Sequence, residues 1–347
     1  MYAYPYSVEL ARLTIILGIV VSILIYKKSG MTMGGILIPG YLALFVSQPL
    51  HIIVTLIIAT LSYLLVHNTL KKRFMLNGRR LFEVEILVAL ILQISWSAVL
   101  TLFGGRNSAL ASLYGIGFVI PGLITHEIGR QGLSRTLFTT LLGTLFVFLI
   151  ITPIAAIEQA LPNDLTVVST SPILRTQPYP YAFPLSLLPF AIVISIMVDM
   201  LIYTRLKIRP GGFVTAAYIA LFVLRPLDLL FILLATVLTY LFVTFMANRF
   251  LLVFGRVRFG LIILSSVVIS WLLEILVINL TQGLYAPWSG FVIIMPMLVA
   301  LLTNSFDQRG IPKTIGALGL STTLVWLVMF GLVSLLKALN LLIYFTV

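Results

Sequence analysis

Apolar stretches about as long as a bilayer is thick follow one another along this chain, and they come as two sets of six. The first set falls near residues 9–26, 35–48, 50–70, 82–103, 109–125 and 135–155. The second falls near 184–203, 212–224, 227–248, 259–281, 288–303 and 314–345. Of all residues, 61% are hydrophobic and only 9% are charged, whereas roughly a quarter of an average globular chain is charged. Lipid must therefore be the solvent for most of the chain. The alternating pattern of a membrane barrel is absent, so helices are the spanning elements. The expected fold class is an all-α polytopic membrane protein. The second and fifth segments of each set are short and interrupted by Gly or Pro, which predicts broken or re-entrant helices there.

The two sets repeat each other. Tyr26-Lys27-Lys28-Ser29-Gly30 with Gly34-Gly35 and Tyr41-Leu42-Ala43-Leu44-Phe45-Val46 aligns without a gap on Tyr203-Thr204-Arg205-Leu206-Lys207 with Gly211-Gly212 and Tyr218-Ile219-Ala220-Leu221-Phe222-Val223. Asn77-Gly78-Arg79 matches Phe254-Gly255-Arg256, and Gly117-Phe118-Val119-Ile120 matches Gly290-Phe291-Val292-Ile293. Gln131-Gly132-Leu133-Ser134-Arg135-Thr136 matches Arg309-Gly310-Ile311-Pro312-Lys313-Thr314. The expected organisation is a first repeat at 1–155, an extracytoplasmic Pro-rich linker at 156–183 and a second, diverged repeat at 184–347. An even number of segments per set makes the repeats parallel. Inside the first set, Gly35-Ile36-Leu37-Ile38-Pro39-Gly40 resembles Gly117-Phe118-Val119-Ile120-Pro121-Gly122, three segments apart, which would make its halves inverted copies.

The net charge of +12 is carried by short loops, which orients helices and does not indicate nucleic-acid binding. Placing Lys27 and Lys28, Lys71 to Arg80, Arg130 and Arg135, and their second-set counterparts in the cytoplasm puts 17 of 22 basic residues there. The N-terminus is then extracytoplasmic, on a retained first helix with no basic leader. The chain has no cysteine, which excludes disulfides and thiolate metal sites.

Three motifs carry a family resemblance. They are Gly35-Ile36-Leu37-Ile38-Pro39-Gly40-Tyr41-Leu42-Ala43-Leu44 with Gln48-Pro49, then Arg73-Phe74-Met75-Leu76-Asn77-Gly78-Arg79-Arg80, then Gly115 to Ile124 leading to Gln131-Gly132-Leu133. In this order and spacing they resemble the PgsC/CapC family, the small membrane subunits of bacterial poly-γ-glutamate synthesis and capsule systems. Typical members are about as long as one half of this chain, so it resembles two such units fused. The second half departs from the pattern: Ala216-Ala217 stands for Pro39-Gly40, and Met295-Pro296-Met297 lies near the place of Pro121-Gly122. The resemblance implies a non-catalytic subunit without cofactor, in the bacterial cytoplasmic membrane. Its implied partners are a cytoplasmic ATP-dependent amide ligase of the PgsB/CapB kind and other capsule-synthesis subunits, with homo-oligomers also open.

The residues themselves offer several candidates. Proline and glycine free backbone groups that lipid cannot satisfy, so Pro39, Gly40, Tyr41, Pro121 and Gly122 are candidates for a substrate path, or else for a packing kink. Arg106 and Arg225 break the charge-orientation rule; Arg106 joins the path, while Arg225 lines an exit or snorkels. Arg73, Gly78, Arg79, Arg80 and Gln131 are candidates for docking a partner or an acidic polymer, or for orientation alone. Asp199 and Glu274 lie inside spans, with Glu85 and Asp228 nearer the ends, either for proton coupling or for pairing between helices. His51, His67 and His126 lack metal-ligand spacing, and no catalytic constellation or nucleotide fingerprint is visible. The leading expectation is a subunit that anchors the ligase and offers a polymer path. The alternatives are an autonomous secondary transporter for a small organic anion and a purely structural anchor.

Overall fold

The computed structural model of the protein describes residues 7–104, 115–160, 180–206, 212, 214–249, 255–287, 291 and 294–339, and no strand occurs among them. The chain divides into two units, Met1–Thr166 and Val167–Val347. The first unit contains α1 (Val8–Ser29), α2 (Ile38–Ala43), α3 (Pro49–Phe74), α4 (Gly78–Gly104), α5 (Ile120–Gln131) and α6 (Leu133–Ala160). The second repeats the order with α7 (Leu188–Leu206), α8 (Thr215–Leu221), α9 (Pro226–Arg249), α10 (Gly255–Leu280), α11 (Met295–Arg309) and α12 (Ile311–Ala338). Eight helices among the described residues are long and apolar enough to cross a bilayer, four in each unit. The protein is an all-α, multi-pass membrane protein.

The second and fifth helices are too short to span. The six residues of α2 rise about 9 Å and the twelve of α5 about 18 Å, against a hydrocarbon core of about 30 Å. Both begin with proline inside the first turn, where its missing N–H has no intrahelical partner to lose. The prolines therefore start helices; they do not kink them. Ahead of α2, residues 30–37 carry the backbone without helix, turning at Gly34 (φ 69°) and Gly35 (φ 136°).

These short helices organise each unit. In the first, α2 packs between α1 and α6, and α5 packs between α3 and α4. In the second, α8 lies between α7 and α12, and α11 between α9 and α10. Each short helix thus packs on the long helix before it and on the last long helix of the other triplet. That exchange is the inverted symmetry hinted at by the two Ile-Pro-Gly stretches. Val21, Met33, Ala43 and Val147 form a core shared by α1, the second segment and α6.

Polar bonds repeat between the units as well. Thr125 Oγ1 donates to the Ala59 carbonyl at 2.9 Å, and Thr303 Oγ1 to the Thr236 carbonyl at 3.4 Å. Thr136 Oγ1 lies 3.2 Å from the Glu127 carbonyl, and Thr314 Oγ1 3.2 Å from that of Ser305. Among the short helices the largest difference in length is that α11 has 15 residues where α5 has 12. Of the expected linker, 161–179 lie outside the described residues. Next to it, the Ala182 N–H donates to the Leu221 carbonyl inside the second unit.

Candidate functional site

The first unit gathers its basic loops at one end. Thr32, just past the end of α1, is held by the last turn of α5. Gln131 Oε1 accepts from the Thr32 N–H at 3.0 Å, and its Nε2 donates to the Thr32 carbonyl at 2.5 Å. Thr32 Oγ1 donates to Glu127 at 2.6 Å, and Thr139 Oγ1 of α6 donates to the Thr32 carbonyl at 2.9 Å. These side chains satisfy backbone that left helical geometry, as low-dielectric surroundings require. Glu85 near the start of α4 meets His67 near the end of α3 and His126 of α5. Loops 27–31, 71–80 and 130–135 therefore share one end of the helices.

Seven cations are exposed there: Lys27, Lys28, Lys72, Arg73, Arg80, Arg130 and Arg135. Phe74 and Met75 are exposed beside them, at 62% and 85%. The sequence candidates Arg73 and Arg80 face outward, whereas Arg79 is paired with the buried Glu83 one turn along α4. Gly78 has φ 56° and its counterpart Gly255 φ 62°, both in open space. A left-handed turn, which glycine adopts without strain, accounts for the residue in both copies. Gln131 spends its amide on Thr32 and positions the loop.

The path candidates lie deeper. Pro39 and Gly40 are buried in α2. A Cβ on Gly18 would lie 2.4 Å from Gly40 Cα, and one on Gly40 would lie 2.9 Å from Ile15 Cα. Pro121 and Gly122 are buried in α5, where a Cβ on Gly122 would lie 2.7 Å from Ile86 Cα. Both glycines let a short helix touch the backbone of the long helix before it, which is the packing alternative. In the second unit the places of Gly18 and Gly40 are taken by Ser195 and Ala217, both fully buried. Tyr41 stacks on Phe45 with ring centroids 6.3 Å apart. Arg106 lies outside the described residues.

The intramembrane acids are engaged. Asp199 of α7 accepts from Ser321 of α12 at 2.7 Å, the interhelical pairing alternative. Glu274 is 9% exposed on α10. Arg225 stands 3.6 Å from Asp228 and 3.8 Å above the Tyr181 ring, and Tyr285 donates to Asp228 at 2.7 Å. Burial, reinforced by the hydrogen bond to Asp228, holds the Tyr285 phenol well above the ordinary tyrosine range. Burial also raises Tyr181, against the opposing effect of the Arg225 charge. So Arg225 sits in a neutralised cluster. No group of three or more His, Cys, Asp or Glu among the described residues is arranged to hold a metal ion.

Sequence spacing missed the meeting of His67, Glu85 and His126, because 18 and 41 residues separate Glu85 from its two partners. The only signal was a carboxylate predicted inside a span.

Comparison with known proteins agrees with the two-unit geometry. The family model "Capsule biosynthesis CapC" matches residues 17–137 and again residues 194–315. The PGA biosynthesis protein CapC of Bacillus subtilis (strain 168) is 34% identical over 130 residues, covering 38% of this chain and 85% of the relative. The capsule biosynthesis protein CapC of Bacillus anthracis is 32% identical over 130 residues, with the same coverage. No solved structure matches the chain.

Proposed function

The chain belongs to the capsule biosynthesis CapC family, and from that premise we propose that it is a membrane subunit of a capsule or PGA-type polymer synthesis system. Its role is to hold a cytoplasmic ATP-dependent amide ligase at the basic end and to pass or guide a γ-linked polyamide. The family match on both units supports membership of such a system. The observation that carries the docking role is the set of seven exposed cations with Phe74 and Met75 at one end of the first unit. Exposed basic residues beside apolar ones suit an acidic partner surface, and the positive-inside rule favours a cytoplasmic position for that end. The chemistry of polymerisation then belongs to a separate chain. The path runs beside the non-helical residues 30–37 ahead of α2 and 115–119 ahead of α5.

The test is co-purification of the ligase with charge-reversed Lys72→Glu, Arg73→Glu and Arg80→Glu protein. Recruitment should drop at least tenfold and secreted polymer should fall with it. Undiminished recruitment would leave these residues as orientation signals only. Anion uptake by the purified protein alone in vesicles would favour the autonomous transporter.

A further inference from the structure

We propose that Glu85, His67 and His126 form a proton-binding site that ties α3, α4 and α5 together, an inference independent of the polymer reading. Glu85 is fully buried, and its Oε2 lies 2.7 Å from His126 Nδ1. Its other oxygen, Oε1, makes no hydrogen bond and faces His67 Nε2 at 3.8 Å. A buried carboxylate with one oxygen unsatisfied is costly. A proton taken up by the His67 imidazole puts an N–H on both ring nitrogens, so Nε2 donates whichever tautomer the neutral ring holds, and a small closing movement would complete the bond. That proton comes from water at the basic end, and it leaves the same way. No other bond is made or broken.

The surroundings leave the three groups within reach of one another. Gly129 leaves the groups open to one another: a Cβ there would lie 2.8 Å from His67 Nε2 and 3.3 Å from Glu85 Oε1. His67 sits in a π turn at Val66–Leu70, its ring tilted against that of Tyr63 at 4.4 Å, and Phe82 meets the His126 ring edge-on at 4.7 Å. Single π turns recur at functional sites. The other titratable or charged neighbours are Lys71 on α3, the Arg79–Glu83 pair on α4, and Glu127 with Arg130 on α5. Each carboxylate among them has its own partner. The aligned positions of the second unit hold Thr244, Ile262 and Asn304, none of which titrates near neutrality. The site therefore belongs to the first unit alone.

The chain has three histidines, so 15N-histidine labelling of the full protein in nanodiscs resolves each ring. Glu85→Gln should move the His67 midpoint by about one pH unit or more. His126→Gln should move His67 in turn, which keeps the test alive if the Glu85 variant fails to fold. Because a one-unit linkage is a tenfold equilibrium change, amide exchange along α5, corrected for intrinsic rates, should change about tenfold across the titration. Midpoints untouched by either substitution, or pH-independent protection of α5, would overturn the proposal.

Discussion

Gly18 and Gly40 meet with no room for a side chain, and that contact gives a packing role to the residue that sequence marked most strongly. Overpacking a tight helix contact costs roughly 1–3 kcal/mol, so Gly40→Ala should lower the unfolding midpoint in detergent. Ala217→Gly should lower it for the opposite reason, by roughly 1–2 kcal/mol, because it deletes a fully buried methyl group and puts glycine in a helix. Removing Gln131 acts differently. Gln131→Leu leaves the part-buried Thr32 N–H without its acceptor, at about 1 kcal/mol, while the Thr32 carbonyl keeps its bond from Thr139. Limited proteolysis should then cut between residues 30 and 37, where the parent protein resists. At the other cluster the Tyr285 phenol is raised by burial and by Asp228. The unfolded chain therefore releases that proton first. Its contribution is complete below about pH 10 and is lost as pH rises beyond. Tyr285→Phe should flatten that alkaline decline in stability.

At the scale of elements, the interruptions at Pro39-Gly40 and Pro121-Gly122 announced the short helices, because those residues are poor fits for a continuous span. Their ends were not legible. The fifth segment read as 109–125, yet α5 runs from Ile120 to Gln131. Its last turns carry Thr125-His126-Glu127, which bond to Ala59, Glu85 and Thr32, so a hydropathy pattern that expects lipid ends too early. Which helix covers each short one also escaped the pattern, since α2 relies on α6, about a hundred residues later. Basic loops, by contrast, were legible as a set. The chain lacks cysteine, so Ser29→Cys, Arg73→Cys and Ser134→Cys can each be probed alone. All three should react with an impermeant thiol reagent from the same membrane face, and Ser7→Cys from the opposite one. Labelling from mixed faces would refute the common basic end.

For the whole molecule, both copies hold the bonds made by Thr125 and Thr136 in one and Thr303 and Thr314 in the other, whereas only the first holds Glu85, His67 and His126. Architecture is present twice; the titratable cluster is present once. The arrangement of α2 also bears on how the protein is made. A helix of six residues clamped between α1 and α6 has no resting place until residue 133 and those after it have left the ribosome. Throughout that interval, a stretch unable to span alone must wait in the insertion machinery or at the bilayer surface. Nascent chains arrested near residue 131 should thus be degraded or held by chaperones. Those arrested after residue 160 has left the ribosome should have the first unit already closed.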